Sequence, residues 1–234
     1  MIWVVVPAAG SGRRFGAGRP KQYADVEGRP LLHWTLTRLA QVRRVRGLMV
    51  VLAADDAYWP GWSEIGNKPL LTAVGGAERA DSVLAGLQAL PAELAEDSFV
   101  LVHDAARPCV RVADVDRLID AVSDGDGGLL AAPVRDTIKR EAQATAGVRH
   151  VEVAETVSRT GLWRALTPQI FRRRALAAAL AAARARGATP TDEAQAMEWA
   201  GAKAILVEGA EDNIKVTTAH DLALARFLLR EQAA

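Results

Sequence analysis

The sequence predicts an α/β domain, a mostly parallel sheet flanked by helices. Three observations predict it. Short, continuous apolar runs rich in β-formers recur along the chain. Helical stretches alternate with them. The first run opens directly into a glycine-rich loop. Runs of this kind are strands buried on both faces, and strand–helix alternation builds parallel sheets through right-handed crossovers.

The elements follow in order. Residues 2–6 (IWVVV) end at Pro7 and read as the first strand. Further strands are expected at 47–53 (GLMVVLA), 70–74, 99–103 (FVLVH) and 128–133 (GLLAAP). Helices are expected at 30–42, 80–90 and 113–122. The rhythm breaks after Pro133. Residues 134–157 are polar, with scattered β-branched residues and no helical period, and read as an excursion rather than core. The sheet pattern resumes at 202–207 (AKAILV). An amphipathic helix capped by Thr218 closes the chain. No repeat or low-complexity linker is present, so one domain over residues 1–234, with an arm at 134–160, fits better than two domains.

The chain has 234 residues, half of them hydrophobic and 24% charged, the balance of a soluble globular protein with a sizeable core. Its 29 basic and 28 acidic residues leave a net charge of +1. A general nucleic-acid or membrane binder is more basic, so neither partner is expected. Cys109 is the only cysteine, which excludes an internal disulfide and a cysteine-rich zinc site. The alanine-rich run at 175–183 is too short to span a membrane. Its neighbours Arg172, Arg173 and Arg174 read as a solvated face. The N-terminal apolar run lacks the basic residues of a secretory signal, so a cytoplasmic location is expected.

The loop after the first strand reads PAAGSGRRFGAGRPK. Between Gly10 and Lys21 it holds Arg13, Arg14, Arg19 and Lys21, with no acid. Its glycines, Gly12 among them, allow close backbone approach, and successive N–H groups at a strand end form an anion nest. This composition asks for a polyphosphate. A dinucleotide fingerprint would need glycine where Phe15 stands. A P-loop would need Gly-Lys-Ser/Thr, whereas Lys21 lies between Pro20 and Gln22.

Other clusters admit two readings each. Asp104 in VHDAARP sits at a strand's carboxyl end, where it can bind a divalent metal or a substrate hydroxyl; alternatively it makes a turn with an ion pair to Arg107. His103 reads as a packed strand residue. The GGAERADS turn can present main-chain groups to an anion or a base, or Asp81 and Ser82 can simply cap a helix. Lys215 in DNIKVTT lies between apolar residues and is placed to point inward, or is solvated.

Together the segments PAAGSGRRFGAGRPKQY, GGAERADSVLAGL, VLVHDAARP, AAPVRDTIKR, SRTGLWRALTPQIF, TDEAQAMEWAG and VEGAEDNIKVTTAHDLALA resemble one family, the 2-C-methyl-D-erythritol 4-phosphate cytidylyltransferases of the non-mevalonate isoprenoid pathway. The resemblance covers nearly the whole chain. It implies transfer of CMP from CTP to methylerythritol phosphate with release of pyrophosphate, and a divalent cation, usually magnesium. A cytidylyltransferase for another polyol phosphate, such as ribitol phosphate, is the alternative. The implied fold is Rossmann-like, of the nucleotidyltransferase type, with a protruding β-arm that interlocks two subunits into a homodimer.

The resemblance also distributes roles. Positions matching Arg14 and Lys21 stabilise charge at the reacting phosphate. Those matching Ala8, Ala9, Gly10, Gly76 and Ser82 hold the nucleotide. Asp104, Arg107, Thr167 and Lys215 face the acceptor. Thr137 and Arg159 come from the arm, with Arg159 and Lys215 holding the acceptor phosphate in line. Asp104 and Asp212 are the metal candidates. The family commonly has an acid after the Gly-Gly pair; Ala77 stands there, so any base contact at that point is main-chain.

Overall fold

The computed structural model describes residues 1–10, 19–122, 125–142 and 150–232. The strands are β1 (Ile2–Pro7), β2 (Asp25–Val26), β3 (Arg29–Pro30), β4 (Val45–Leu52), β5 (Glu64–Ile65), β6 (Lys68–Val74), β7 (Phe99–Val102), β8 (Gly127–Pro133), β9 (Ile138–Glu141), β10 (Val153–Val157), β11 (Trp163–Arg172) and β12 (Ile205–Glu208). The helices are α1 (Leu31–Gln41), α2 (Arg79–Gln88), α3 (Val112–Ala121), α4 (Arg173–Ala185), α5 (Glu193–Trp199) and α6 (Ala219–Glu231). A 3-10 turn covers Lys21–Tyr23.

Eight strands form one sheet in the order β12-β8-β11-β7-β1-β4-β6-β5. The neighbours β4, β1 and β7 are parallel, as are β4 with β6 and β8 with β12. The chain moves from β1 outward to β4 and β6, then returns to lay β7 on the other side of β1. Strand order therefore reverses beside β1, and a crevice opens there at the carboxyl ends.

Alternation along β1 divides the core. Val4 and Val6 pack with Leu32, Leu36 and Leu39 of α1 on one face. Trp3 and Val5 pack with Val83 and Leu87 of α2 and Leu176 and Leu180 of α4 on the other. Each fully buried leucine contributes about 1.5–3 kcal/mol of transfer free energy. Helix α2 meets the sheet at Gly86, where a Cβ would lie 2.6 Å from Val5 and 2.7 Å from Val51. A third cluster (Val26, Leu31, Cys109, Val216, Ala225, Leu229) seats α6 against the segment that follows β7.

Two expectations need correction. The sheet does not wait until residue 202 to resume: β11 inserts antiparallel between β7 and β8. The arginines before the alanine-rich helix are not a solvated face throughout. Arg173 donates to the carbonyls of Leu90, Pro91 and Leu94, and Arg172 lies over the Phe99 ring at 3.9 Å. Arg173 ties the segment after α2 to the start of α4, and Arg172 covers the start of β7.

Between β8 and β11 the chain leaves the main sheet. There β9 and β10 pair antiparallel as a separate two-stranded sheet, carrying an Arg140–Glu155 ion pair and a Lys139–Thr156 hydrogen bond on exposed surface. Among the described residues no helix is long and apolar enough to cross a membrane.

Candidate active site

The crevice is built by the segments that leave β1, β6 and β7. After β1, the Ala8 N–H donates to the Val51 carbonyl of β4, prolonging the sheet by one residue. Buried Gln22 donates to the Ala8 carbonyl at 2.7 Å and so ties the far end of the basic loop back to its start. Tyr23 fixes the same turn: its hydroxyl donates to Asp56 at 2.7 Å, and its ring stacks on Tyr58. Lys21 is thereby held at the crevice, its Nζ donating to the Val216 carbonyl at 3.1 Å.

After β6 comes the Gly75-Gly76 turn into α2. A Cβ on Gly76 would lie 2.4 Å from the Asp81 Cβ, so the turn has room only for glycine. The capping reading of its polar residues is the one seen in the contacts. Asp81 accepts from the Glu78 N–H in a capping box, and Ser82 Oγ accepts from the Gly76 N–H at 3.3 Å.

After β7 comes His103-Asp104. Because β11 runs opposite to β7 and Gln169 pairs with Val102, the residues before Gln169 lie beyond the carboxyl end of β7. This brings Thr167 against Asp104. The Asp104 N–H donates to Thr167 Oγ1 at 3.1 Å. His103, fully buried, donates from Nε2 to the Arg107 carbonyl, and its Nδ1 faces the Thr167 hydroxyl at 3.0 Å. A carbonyl can only accept, so the proton sits on Nε2 and Nδ1 accepts from Thr167. Burial pushes the imidazole down to about 4, against a smaller opposing effect of the Arg107 carbonyl. His103 is a neutral packed strand residue, and the Thr167 hydroxyl orients the strand end.

Asp104, 7% exposed, is the electrostatic centre. Its Oδ1 accepts from Arg79 Nε at 3.0 Å; its Oδ2 meets Lys215 Nζ at 2.9 Å and Arg107 Nε at 3.4 Å. Burial alone would raise its carboxyl. Arg79, then Lys215 and Arg107, outweigh that and hold it well below the usual carboxylate range. The loop bearing Lys215 is bolted in place: Arg107 donates to the Asn213 carbonyl, Asn213 to the Thr167 carbonyl, and the Val216 N–H to the Ala106 carbonyl.

The structure thus brings Ala8, Lys21, Asp104, Arg107, Thr167 and Lys215 into one connected set, with Gly76 and Ser82 at the Gly-Gly turn. Ala9 touches the same turn, since a Cβ on Gly75 would meet both Ser82 Oγ and the Ala9 Cβ. Gly10 is exposed at the start of the loop. Gly12 and Arg14 lie outside the described residues. Thr137 and Arg159 are exposed at the arm's base, where Arg159 donates to the Arg135 carbonyl, and nothing among the described residues joins them to Asp104 of their own chain.

The metal reading of Asp104 and Asp212 does not fit this arrangement. Both Asp104 oxygens face cations, and Asp212 accepts from Arg111 and Gln232. No group of three metal-ligating side chains exists among the described residues. A carboxylate already ringed by guanidinium groups is a poor ligand for a further cation.

Sequence reasoning missed Arg79 and Glu193. Glu193, fully buried on α5, accepts both terminal nitrogens of Arg79, at 2.6 and 3.1 Å. Burial works against the Arg79 charge, but Glu193 and then Asp104 more than reverse this and keep the guanidinium firmly protonated. The two residues lie in the GGAERADS and TDEAQAMEWAG segments, but only the fold shows them as partners.

The comparisons with known proteins place the chain among the nucleotidyltransferases. A family model described as IspD, 2-C-methyl-D-erythritol 4-phosphate cytidylyltransferase, matches residues 2–231. The chain belongs to that family. Its relatives include a protein of that name from Stenotrophomonas maltophilia strain R551-3, 55% identical over 99% of this chain and 98% of the other. One from Xanthomonas campestris pv. campestris strain B100 is 54% identical over 97% of this chain and 84% of the other. Among solved structures, the protein of the same name from Thermus thermophilus is 32% identical with a TM-score of 0.75, covering 97% of this chain and 98% of that one. A 4-diphosphocytidyl-2C-methyl-D-erythritol synthase crystal structure reaches 0.79 at 32% identity, with 97% and 98% coverage.

Proposed function

We propose that the crevice beside β1 is where the chain transfers CMP from CTP to 2-C-methyl-D-erythritol 4-phosphate, giving 4-diphosphocytidyl-2-C-methyl-D-erythritol and pyrophosphate. The observation that carries this reading is the bond from Lys21 to the Val216 carbonyl. It sets the cation of the nucleotide loop beside Lys215, the cation of the acceptor side.

The nucleophile is a phosphate monoester oxygen. By analogy with phosphoserine its second pKa is about 6, so it is ionised at neutral pH and needs no general base. The obstacle is the approach of one anion to another. Arg14 and Lys21 offset charge on the nucleotide side, while Lys215 and Arg159 hold the acceptor phosphate in line. Ala8, Ala9, Gly10, Gly12, Gly76 and Ser82 hold the nucleotide. Asp104, Arg107, Thr137 and Thr167 shape the acceptor side, with Thr167 acting through its bond to the Asp104 N–H. Magnesium enters as the counter-ion of the triphosphate, as part of the substrate. The arm, residues 134–160 of a single domain, exchanges between two subunits of a homodimer, so that Thr137 and Arg159 reach the neighbour's acceptor site. The setting is the cytoplasm.

Pyrophosphate release with four nucleoside triphosphates and a panel of polyol phosphates tests this. CTP with methylerythritol phosphate should exceed every other pair. A site built on hydrogen bonds rejects a base whose donors and acceptors are reversed, because its own polar groups are left unpaired. Equal turnover with UTP would remove the base-reading role of the Gly-Gly turn. Preference for ribitol phosphate would change the acceptor.

A further inference from the structure

We infer that Arg79 and Glu193 form a positioning device that holds Asp104, and through it Lys215, at the geometry the acceptor requires. The inference rests on the reading of Asp104 and Lys215 as acceptor-side residues.

Four carboxylate oxygens and two cations form an unbroken line. Glu193 presents both its oxygens to the terminal nitrogens of Arg79. The remaining guanidinium donor, Nε, reaches Asp104 Oδ1 at 3.0 Å. Asp104 Oδ2, on the opposite side, reaches Lys215 Nζ at 2.9 Å. The two carboxylates are the buried members, with side-chain exposures of 1% for Glu193 and 9% for Asp104, against 30% for Arg79 and 42% for Lys215. The buried end is anchored and the open end carries the charge available to a ligand.

The anchor is itself braced. Glu193 opens α5, whose N-cap Asp192 accepts from the Gln195 N–H and from the Gln169 side chain of β11. Gln169 also accepts from the Ala194 N–H. Glu193 therefore cannot follow Arg79 if Arg79 moves. Arg79 opens α2 directly after the Gly-Gly turn, so its backbone is fixed by the capping box.

The geometry needs a planar fork. Arginine offers donors in fixed directions, enough to serve three carboxylate oxygens on two residues at once; a lysine ammonium is a point charge on a flexible stem. Arg107 reaches Asp104 only at 3.4 Å and on the Lys215 side. Without Arg79, nothing among the described residues holds Oδ1, and the carboxylate is held through Oδ2 alone, by Lys215 and Arg107.

Two variants test the device. Arg79→Lys keeps the charge and removes the fork. The double variant Arg79→Met with Glu193→Leu removes both buried charges together, a replacement that structures often tolerate. Steady-state kinetics would be measured with CTP and methylerythritol phosphate varied in turn, and folding checked by thermal melting. In both variants the KM for methylerythritol phosphate should rise about tenfold or more while the KM for CTP stays within about twofold, a coupling in the range found for residues of one network. An unchanged acceptor KM, or an equal rise in both KM values, overturns the inference, since a general loosening of α2 would disturb the adjacent nucleotide turn as well. Failure of both variants to fold would make the pair a stability element and overturn it too. Lys215→Ala serves as reference: if it also leaves the acceptor KM unchanged, the acceptor-side reading itself falls and takes the inference with it.

Discussion

Lys21 is half-buried, yet its contribution to stability is small. Its bond to the Val216 carbonyl fastens the loop to the segment bearing Lys215. Such a bond is worth about 0.5–1.5 kcal/mol net. Lys21→Ala should therefore lower the melting temperature by only about 2–4 °C, the shift expected per kcal/mol for a chain of this size. Turnover should fall by about 10²–10³, as for loss of one preorganised electrostatic donor. Near-normal kcat would refute its role. His103 behaves in the opposite way, silent in chemistry and costly in stability. It is neutral in the fold, held at about 4 by burial, and takes a proton in the unfolded chain below its ordinary 6.5. Between those values the unfolded chain binds more protons, so stability drains away as pH falls through that window. The full loss is about 3 kcal/mol. The groups facing the ring region are Asp104, Arg107 and Arg79. Asp104, whose carboxyl is lowered, adds its own loss only below the ordinary carboxylate range. Urea midpoints at pH 7, 5.5 and 4.5 should show the decline, and His103→Gln should flatten it. A flat wild-type profile would show that the ring is accessible to protons in the fold.

At the level of elements, the parallel strands announce themselves. The interior of β4 past Arg46, with β1 and β8, is buried on both faces and reads as unbroken apolar sequence. The Thr218 cap of α6 was equally legible, because Asp221 three residues on completes a capping box. By contrast β11 is hidden by its own residues. It starts exposed at Trp163 and then buries Thr167 and Gln169, polar groups tolerated only because Asp104, His103, Asp192 and Ala194 satisfy them. Those partners come from other parts of the chain, so no local pattern could reveal the strand. Arg79 with Glu193 is hidden for the same reason. Lys215, Asp104 and Arg107 were visible because each stands in a short motif at a strand end or a cap. The Gly-Gly turn offers an element-level test. Gly76→Ala would force a Cβ to within 2.4 Å of the Asp81 Cβ and strain the Gly76–Ser82 bond. Overpacking of this kind costs about 1–3 kcal/mol locally. The KM for CTP should rise with little change in the KM for the acceptor, the mirror image of the Arg79 variants. A change confined to the acceptor would assign the turn to the wrong substrate.

For the whole molecule, the question is whether one chain makes a complete site. Arg159 bonds to the Arg135 carbonyl at the base of the arm and has no contact with Asp104 or Lys215 of its own chain. If the arm serves a neighbour, Arg159→Ala and Lys215→Ala should each be poorly active alone. A mixed dimer gathers both lesions in one site and leaves the other intact, so subunit exchange should restore up to about half the wild-type activity per mixed dimer. Exchange without recovery would assign Arg159 to its own chain, and a monomer at working concentration would end the shared-site reading. The central placement of β11 also has a consequence for the order in which the chain comes off the ribosome. Strands β1, β4, β6 and β7 are all synthesised by residue 102 and can pair among themselves at once. Strand β8 cannot join them, because its only route into the sheet runs through β11, which ends at residue 172. Until that residue is made, β8 has α3 to pack against but no strand to join it to the sheet. The part of the crevice beside β1 and β6 can take shape on the nascent chain, whereas the part around Asp104 waits first for β11 to bring in Thr167 and then for Glu193 and Lys215, which follow it in the chain.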